Sequence, residues 1–154
     1  MLDAYLKLVP QAVAFARASG KPDVLSQTAN ILADCYDVSP HAVLEGLQDR
    51  EALGSTGFGR GVAIPHARLA ELNRPVAIVV RLEKPVDFAA ADGLPVELVF
   101  GLVSPEGAGQ AHLHALAALS RLVRDDSVLE SLLAETTPEG LYALLSDAAD
   151  RDAA

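Results

Sequence analysis

Apolar residues recur at helical spacing in the first third of the chain. Leu25, Leu32 and Tyr36 predict a helix that begins at Lys21-Pro22-Asp23 and runs to about residue 36. Ser39-Pro40, a hydroxyl cap followed by a proline, predicts a second helix that ends near residue 51. The opening ten residues are ambiguous, and their apolar positions hint at one short helix.

The middle of the chain carries a different pattern, with short apolar runs rich in β-branched residues. "AVAFARA" (Ala12–Ala18) predicts a short strand, and "GVAIPH" (residues 61–66) predicts another. "VAIVVRL" (Val76–Leu82) and "VELVFGLV" (Val96–Val103) are apolar throughout, which is typical of central strands that are covered on both faces. Asp92-Gly93 marks a turn between these two strands.

The last third returns to helical spacing after a loop at Pro105–Gly109. Three helices are predicted, over Gln110–Arg124, Ser127–Ala134 and Thr137–Ser146, and the tail at residues 147–154 is expected to be frayed. Strands in the middle of the chain, with helices before and after them, predict a layered α/β domain.

Composition narrows the class of protein. A chain of 154 residues with 51 % hydrophobic residues fits a single domain over residues 1–154 with its own core, placed at about 12–147. No apolar run is long enough to span a bilayer, and no export signal opens the chain. The lone Cys35 excludes an internal disulfide and is expected to be a buried thiol. These features favour the cytoplasm.

The formal net charge of −9 argues against a nucleic-acid or anionic-membrane surface, because phosphate groups require clustered lysine and arginine. Solubility is the simplest use of most of these charges.

Candidate chemistry begins at His66, which directly follows Pro65 at the predicted end of a strand. Proline has no amide hydrogen and keeps the preceding residue extended, so the strand is expected to stop pairing there. Strand ends in α/β folds often carry functional sites. The plain alternative is a surface histidine at a strand terminus.

The segment before this strand is rich in glycine and hydroxyl groups, with Ser55, Thr56 and Gly57 at its start. Such a backbone can turn its amide hydrogens around an anion, although a simple connector is an equal alternative. Arg50 lies on the same helical face as Val43 and Leu47, so its guanidinium could grip an oxyanion. Alternatively, Arg50 complements the helix dipole with its head in water.

His112 and His114 lie two residues apart on a predicted helix, where side chains diverge by about 200°. His112 shares the apolar face and points inward, whereas His114 points outward. With His66 they could suggest a three-histidine zinc site, but the helical geometry speaks against it. His112 is therefore either a core histidine or a group beside the free amides of a helix start, where an anion is welcome.

These residues together suit one chemistry. A single acceptor imidazole, surrounded by donors and a cation, fits a phosphoryl group carried on a ring nitrogen. Imidazole has a pKa of about 6.5 and is mostly neutral, and therefore nucleophilic, in the cell. No metal and no cofactor is expected.

The segment "REALGSTGFGRGVAIPHARL" closely resembles the active-site segment of the fructose/mannitol-type enzyme IIA domains of the bacterial phosphotransferase system (PTS), and most of all their nitrogen-regulatory branch. The resemblance covers about residues 13–145, including the helix "HLHALAALSRLV". It implies a mixed β-sheet flanked by helices on both faces. It also implies that His66 is phosphorylated, with Arg50 beside it and His112 as an assisting histidine.

The same resemblance implies a partner and a role. The donor would be a small phosphocarrier, HPr or its nitrogen-branch counterpart NPr, and the targets would be regulatory proteins such as sensor kinases or potassium transport proteins. One alternative is a sugar-specific IIA component that passes phosphate to a IIB domain. Others are a binding module that is not phosphorylated and a zinc hydrolase.

Overall fold

The computed structural model describes residues 2–152, which form six strands and five α-helices. In chain order these are β1 (Val13–Ala16), α1 (Lys21–Tyr36), α2 (Pro40–Ala52), β2 (Gly57–Gly59), β3 (Val62–Ala63), β4 (His66–Leu69), β5 (Val76–Val86), β6 (Val96–Pro105), α3 (Gly109–Arg124), α4 (Asp126–Ala134) and α5 (Pro138–Asp152). None of the helices in this range combines the length and the apolar character that crossing a bilayer requires.

The strands form one mixed sheet with β5 and β6 at its centre, running antiparallel. β1 pairs in parallel with β5, and β3 and β4 both pair in parallel with the other edge of β6. β2 completes the sheet, antiparallel to β3. β6 therefore pairs with β3, β4 and β5, and His66 is the first residue of β4.

Helices cover both faces of this sheet. In β5, Ile78 and Val80 pack on the side of α1 and α2, where Leu32 is fully buried. Val79, between them in sequence, packs on the opposite side with Leu119 and the other apolar residues of α3, α4 and α5. Because side chains alternate along a strand, an apolar run in a central strand supplies both cores. The predicted fold class, a mixed sheet flanked by helices on both faces, is confirmed.

The cap that the sequence predicts at the start of α2 is present, and α4 has a second one. Ser39 Oγ accepts a hydrogen bond from the Ala42 amide at 3.2 Å, and Pro40 occupies the first turn of α2. The carboxylate of Asp125 accepts from the Ser127 and Val128 amides at the start of α4. Both caps satisfy amide hydrogens that have no partner within the helix.

The predicted strand "GVAIPH" is wrong as a single element. The structure divides it into β3 (Val62–Ala63) and β4 (His66–Leu69), with Ile64 and Pro65 between them. Pro65 has no amide hydrogen to donate, but its carbonyl accepts the Leu102 amide at 3.0 Å, so the chain stays along the edge of β6. His66 therefore begins a strand instead of ending one.

Part of the predicted glycine loop is ordered as β2, which forms a hairpin with β3. At its tip Gly59, Arg60 and Gly61 all have positive φ, at 100°, 62° and 82°. Glycine enters this region without steric penalty, and the pair of glycines therefore makes the tight turn possible.

The chain ends also differ from the prediction. The first strand is shorter, at Val13–Ala16, and the opening segment holds two 3₁₀ turns, Leu2–Ala4 and Pro10–Ala12, instead of one helix. The last helix continues past Ser146 to Asp152, through an alanine-rich segment that favours helix. Residues 1, 153 and 154 of the predicted terminal segments lie outside the described residues.

Cys35 is half-buried, so the prediction of a buried thiol is wrong. It follows fully buried Leu32 by three residues and therefore lies at the margin of the apolar stripe of α1. Partial burial, with a smaller effect of Asp34, raises the pKa of the thiol.

Candidate functional site

His66 lies where the edge of the sheet is interrupted. It is the first residue of β4 and pairs with Leu102 of β6, immediately after Pro65. Ala67 next to it is buried against the α2 side of the sheet, so His66 faces the opposite side, where α3 lies. The break in the edge strand thus presents one imidazole between α2 and α3.

The two ring nitrogens of His66 have different partners. Nδ1 lies 2.8 Å from the carbonyl oxygen of Ile64, and Nε2 lies 3.2 Å from Nε of Arg50. A carbonyl can only accept and a guanidinium can only donate, so Nδ1 carries the proton and Nε2 carries the lone pair. The structure therefore assigns the tautomer of His66.

Burial lowers the pKa of His66 below its ordinary value, and the positive charges of Arg50 and Arg68 lower it further. The Ile64 carbonyl and the carboxylate of Glu51 act in the opposite direction but are outweighed. The imidazole is consequently neutral at pH 7, which is the form that acts as a nucleophile.

Arg50 reaches this imidazole from the last turn of α2. Its Nε donates to His66, and its Nη1 donates to the Gly54 carbonyl at 2.8 Å. The sequence allowed the guanidinium of Arg50 either to face an anion site or to extend into water. In the structure it is directed at His66. The Gly54 contact holds the plane of the guanidinium beside Nε2 of His66.

His112 lies in the first turn of α3, with its ring centre 5.4 Å from that of His66 and the planes inclined by 49°. It is only 5 % exposed. Burial, together with the nearby His66 and Arg68, lowers the pKa of His112 to about 4. His112 is therefore a neutral group at pH 7, like its neighbour.

Sequence reasoning missed Ser104, which sets the state of His112. Its Oγ lies 2.7 Å from Nδ1 of His112, and both side chains are buried. Donation from the Ser104 hydroxyl to Nδ1 is the arrangement that gives this buried hydroxyl an acceptor. His112 then carries its own proton on Nε2. The sequence marks Ser104 only as a lone hydroxyl at the end of the apolar run "VELVFGLVS" and does not indicate its partner.

The predicted phosphate-binding residues lie at the start of β2 and just before it, and four of their donors already have partners. Ser55 Oγ donates to the Phe88 carbonyl at 2.5 Å and accepts from the Gly57 amide at 3.0 Å. Thr56 donates its amide hydrogen and its hydroxyl hydrogen to the carboxylate of Glu51, at 2.8 and 2.5 Å. The role expected for Ser55, Thr56 and Gly57 stays a prediction.

His114 lies apart from this group, as the helical geometry predicted. It is exposed on the other side of α3, with its ring edge-on to Tyr5 at 6.3 Å between centres. Among residues 2–152, histidine, cysteine, aspartate and glutamate form no group of three or more that could hold a metal ion. The three histidines considered for zinc therefore do not converge.

Comparison with known proteins places this geometry in a family. Residues 9–148 match the profile of the family described as "Phosphoenolpyruvate-dependent sugar phosphotransferase system, EIIA 2". The chain is 40 % identical over 140 residues to a nitrogen regulatory protein from Bradyrhizobium diazoefficiens, covering 90 % of this chain and 92 % of that one. It is 41 % identical over 128 residues to a nitrogen regulatory protein from Pseudomonas aeruginosa, covering 82 % and 83 %.

A solved structure agrees with these relatives. The nitrogen regulatory protein IIA-Ntr from Neisseria meningitidis superposes with a TM-score of 0.83 at 35 % identity, covering 90 % of this chain and 95 % of that one. The resemblance found in the segment around His66 thus extends to the whole fold. The chain belongs to the EIIA type 2 family of the phosphotransferase system, in its nitrogen-regulatory branch.

Proposed function

We propose that this protein is a cytoplasmic phosphocarrier that accepts a phosphoryl group on Nε2 of His66 and regulates other proteins by its phosphorylation state. The observation that carries the proposal is the tautomer of His66. Its Nδ1–H is engaged by the Ile64 carbonyl, so the lone pair is on Nε2, beside the guanidinium of Arg50. A neutral imidazole with a directed lone pair and an adjacent cation is a competent phosphoryl acceptor.

The transfer step follows from this arrangement. The lone pair of Nε2 attacks phosphorus as the bond from phosphorus to the donor's ring nitrogen breaks, and that bond's electron pair returns to the donor. The His66 ring gains positive charge while it keeps its hydrogen on Nδ1. The Ile64 carbonyl, 2.8 Å away, stabilises this charge by accepting the Nδ1 hydrogen bond.

The phosphoryl oxygens carry the negative charge and need donors of fixed position. Arg50 supplies a charged planar group, which leaves its contact with Nε2 as the phosphorus atom takes that place. His112 supplies a neutral Nε2–H, because Ser104 donates to its other nitrogen. Ser55, Thr56 and Gly57 complete the expected set.

The donor we propose is a small phosphocarrier protein of the HPr or NPr type. A phosphohistidine adds a dianionic group beside Arg50 and Arg68, which offsets their positive charge at the site surface. Regulatory targets such as sensor kinases or potassium transport proteins would then distinguish the two states by contact with this surface.

The test is incubation with enzyme I, an HPr- or NPr-type carrier and phosphoenolpyruvate, followed by intact-mass measurement. We expect one acid-labile phosphoryl group on the wild type and none on His66→Ala. His114→Gln, a change at an exposed histidine of the same protein, is the matched control and should be labelled normally. Label that persists on the His66 variant would refute the assignment.

A second readout separates the regulatory role from sugar transport. The labelled protein is mixed with a fructose- or mannitol-type IIB domain, and loss of its phosphoryl mass is followed over time. Retention of the label, with a change in captured regulatory partners between the two states, supports the regulatory role. Rapid transfer to the IIB domain favours the sugar-specific alternative.

A further inference from the structure

Glu51, which follows Arg50 in the chain, carries a carboxylate in an unfavourable place. Its side chain is only 6 % exposed, and it lies in the last turn of α2, where the helix dipole is negative. Burying an anion is strongly destabilising unless it is paired and hydrogen-bonded. The contacts that offset this burial identify the residues that the carboxylate binds.

Two residues supply the compensating contacts. Lys21 Nζ, at the start of α1, donates to Oε1 at 2.6 Å. Thr56 donates its amide hydrogen to Oε1 at 2.8 Å and its hydroxyl hydrogen to Oε2 at 2.5 Å. The carboxylate therefore grips one residue, Thr56, by both backbone and side chain, while Lys21 balances the charge.

The hydrogen bonds continue from Thr56 to the acceptor imidazole. The Thr56 carbonyl accepts the Ile64 amide at 3.0 Å, and the Ile64 carbonyl accepts Nδ1–H of His66 at 2.8 Å. Ile64 lies in the break between β3 and β4, where pairing with β6 resumes only at the Pro65 carbonyl, and the partner of the Ile64 amide is Thr56. The position of the carbonyl that sets the His66 tautomer thus depends on Thr56.

We propose that Glu51 is a positioning residue for His66, which acts by clamping Thr56 and, through it, the Ile64 carbonyl. Arg50 and Glu51, consecutive in sequence, then govern the two nitrogens of one ring: Arg50 faces Nε2 directly, and Glu51 holds the partner of Nδ1. The effect on phosphotransfer rests on the proposed function, whereas the effect on the tautomer does not.

The chain offers a matched pair of variants for the test. Thr56→Val removes the clamped hydroxyl and keeps the shape of the side chain. Thr28→Val makes the same change at another buried threonine, whose hydroxyl has no hydrogen-bond partner within residues 2–152. Glu51→Gln is the second variant, because an amide nitrogen must face a donor where a carboxylate oxygen now accepts. Glu45→Gln is its exposed control on α2.

The primary readout is the side-chain ¹⁵N chemical shifts of His66, which report the fraction with hydrogen on Nδ1. The second is amide hydrogen exchange at Ile64, and the third is the rate of phosphoryl transfer from the HPr-type donor. We expect Thr56→Val and Glu51→Gln to lower the Nδ1–H fraction, to speed Ile64 exchange and to slow transfer by about 10- to 100-fold. Thr56→Ser, which keeps the hydroxyl, should restore all three.

The outcomes separate the two proposals. Wild-type His66 with its hydrogen on Nε2, or Thr56→Val and Glu51→Gln variants that keep the wild-type shifts and Ile64 protection, would overturn the positioning role. The same changes in Thr28→Val would overturn it as well. A wild type that takes no phosphoryl group, with the tautomer still dependent on Thr56, would sink the proposed function and support the clamp.

Discussion

The depressed pKa of His112 couples the stability of the protein to pH in a way that can be calculated. The group titrates near 6.5 in the unfolded chain and at about 4 in the folded protein. Between these values the unfolded state binds a proton that the native state does not, so the free energy of unfolding decreases as the pH falls. The stability that depends on the neutral form of His112 is present above pH 6.5 and is lost progressively below it. This contribution changes no further below about pH 4.

The size of the effect follows from the same values. One pKa unit corresponds to about 1.36 kcal/mol, so the interval from pH 6.5 to pH 5 gives about 2 kcal/mol from His112. The ring is 5 % exposed, so solvent screens little of this. A loss of this size is a large fraction of the stability of an ordinary domain.

The assay compares wild type with His112→Asn in urea denaturation at several pH values from 7 to 5. Asparagine does not titrate, yet its carbonyl oxygen can accept from Ser104 near the position of Nδ1. All other titrating groups contribute similarly to both proteins, so their difference isolates His112. The stability of wild type relative to the variant should decline by about 2 kcal/mol over this range, with unchanged m-values.

Parallel curves would refute this reasoning. A constant difference between wild type and His112→Asn means that the native imidazole takes up its proton at the same pH as the unfolded one. The ring would then be solvated or paired with an anion, contrary to its burial between Ser104 and His66. A direct NMR titration of His112 would identify which of these two environments the ring has.

Two further changes test particular contacts. Arg50→Lys keeps the charge but loses the planar fork, so transfer from the carrier should slow by about tenfold or more, with a melting temperature near that of wild type; a normal rate would show that only the charge matters. Gly101→Ala should destabilise by about 1–3 kcal/mol in urea denaturation, because the new Cβ would lie 2.5 Å from Cγ2 of Thr28. Gly107→Ala, whose Cβ would meet nothing within 4 Å, is its control, and equal stability of the two variants would contradict the packing argument.

Much of the fold was predictable because its signals are local. The helices carry apolar stripes in their own segments, and α2 also carries its cap, at Ser39-Pro40. The strands β5 and β6 are apolar on both faces, which by itself indicates a central place in a covered sheet. By contrast, β2 and the break at Ile64-Pro65 depend on pairing with other strands. No local pattern distinguishes a glycine connector from a glycine hairpin.

The residues of the site likewise fall into those that the sequence could identify and those that it could not. Arg50, His66 and His112 could be named from their types, faces and motif, and the structure brings their side chains together. Ser104 and Glu51 could not be named, because the role of a buried serine or of a helix-end glutamate depends on its hydrogen-bond partners, which the sequence does not show. Their contacts join segments that only the folded sheet brings together.

Residue type alone also misleads about which donors are available. Thr56 has the hydroxyl and amide expected of a phosphate-binding residue, but both are bound to Glu51, and they would have to leave it to reach a phosphoryl oxygen. Arg50 is also engaged, through Nε at His66 and Nη1 at Gly54, but its Nη2 group takes no part in either bond. Two neighbouring imidazoles acquire opposite roles. The Ile64 carbonyl makes one a nucleophile at Nε2, and the Ser104 hydroxyl makes the other a donor at the same atom.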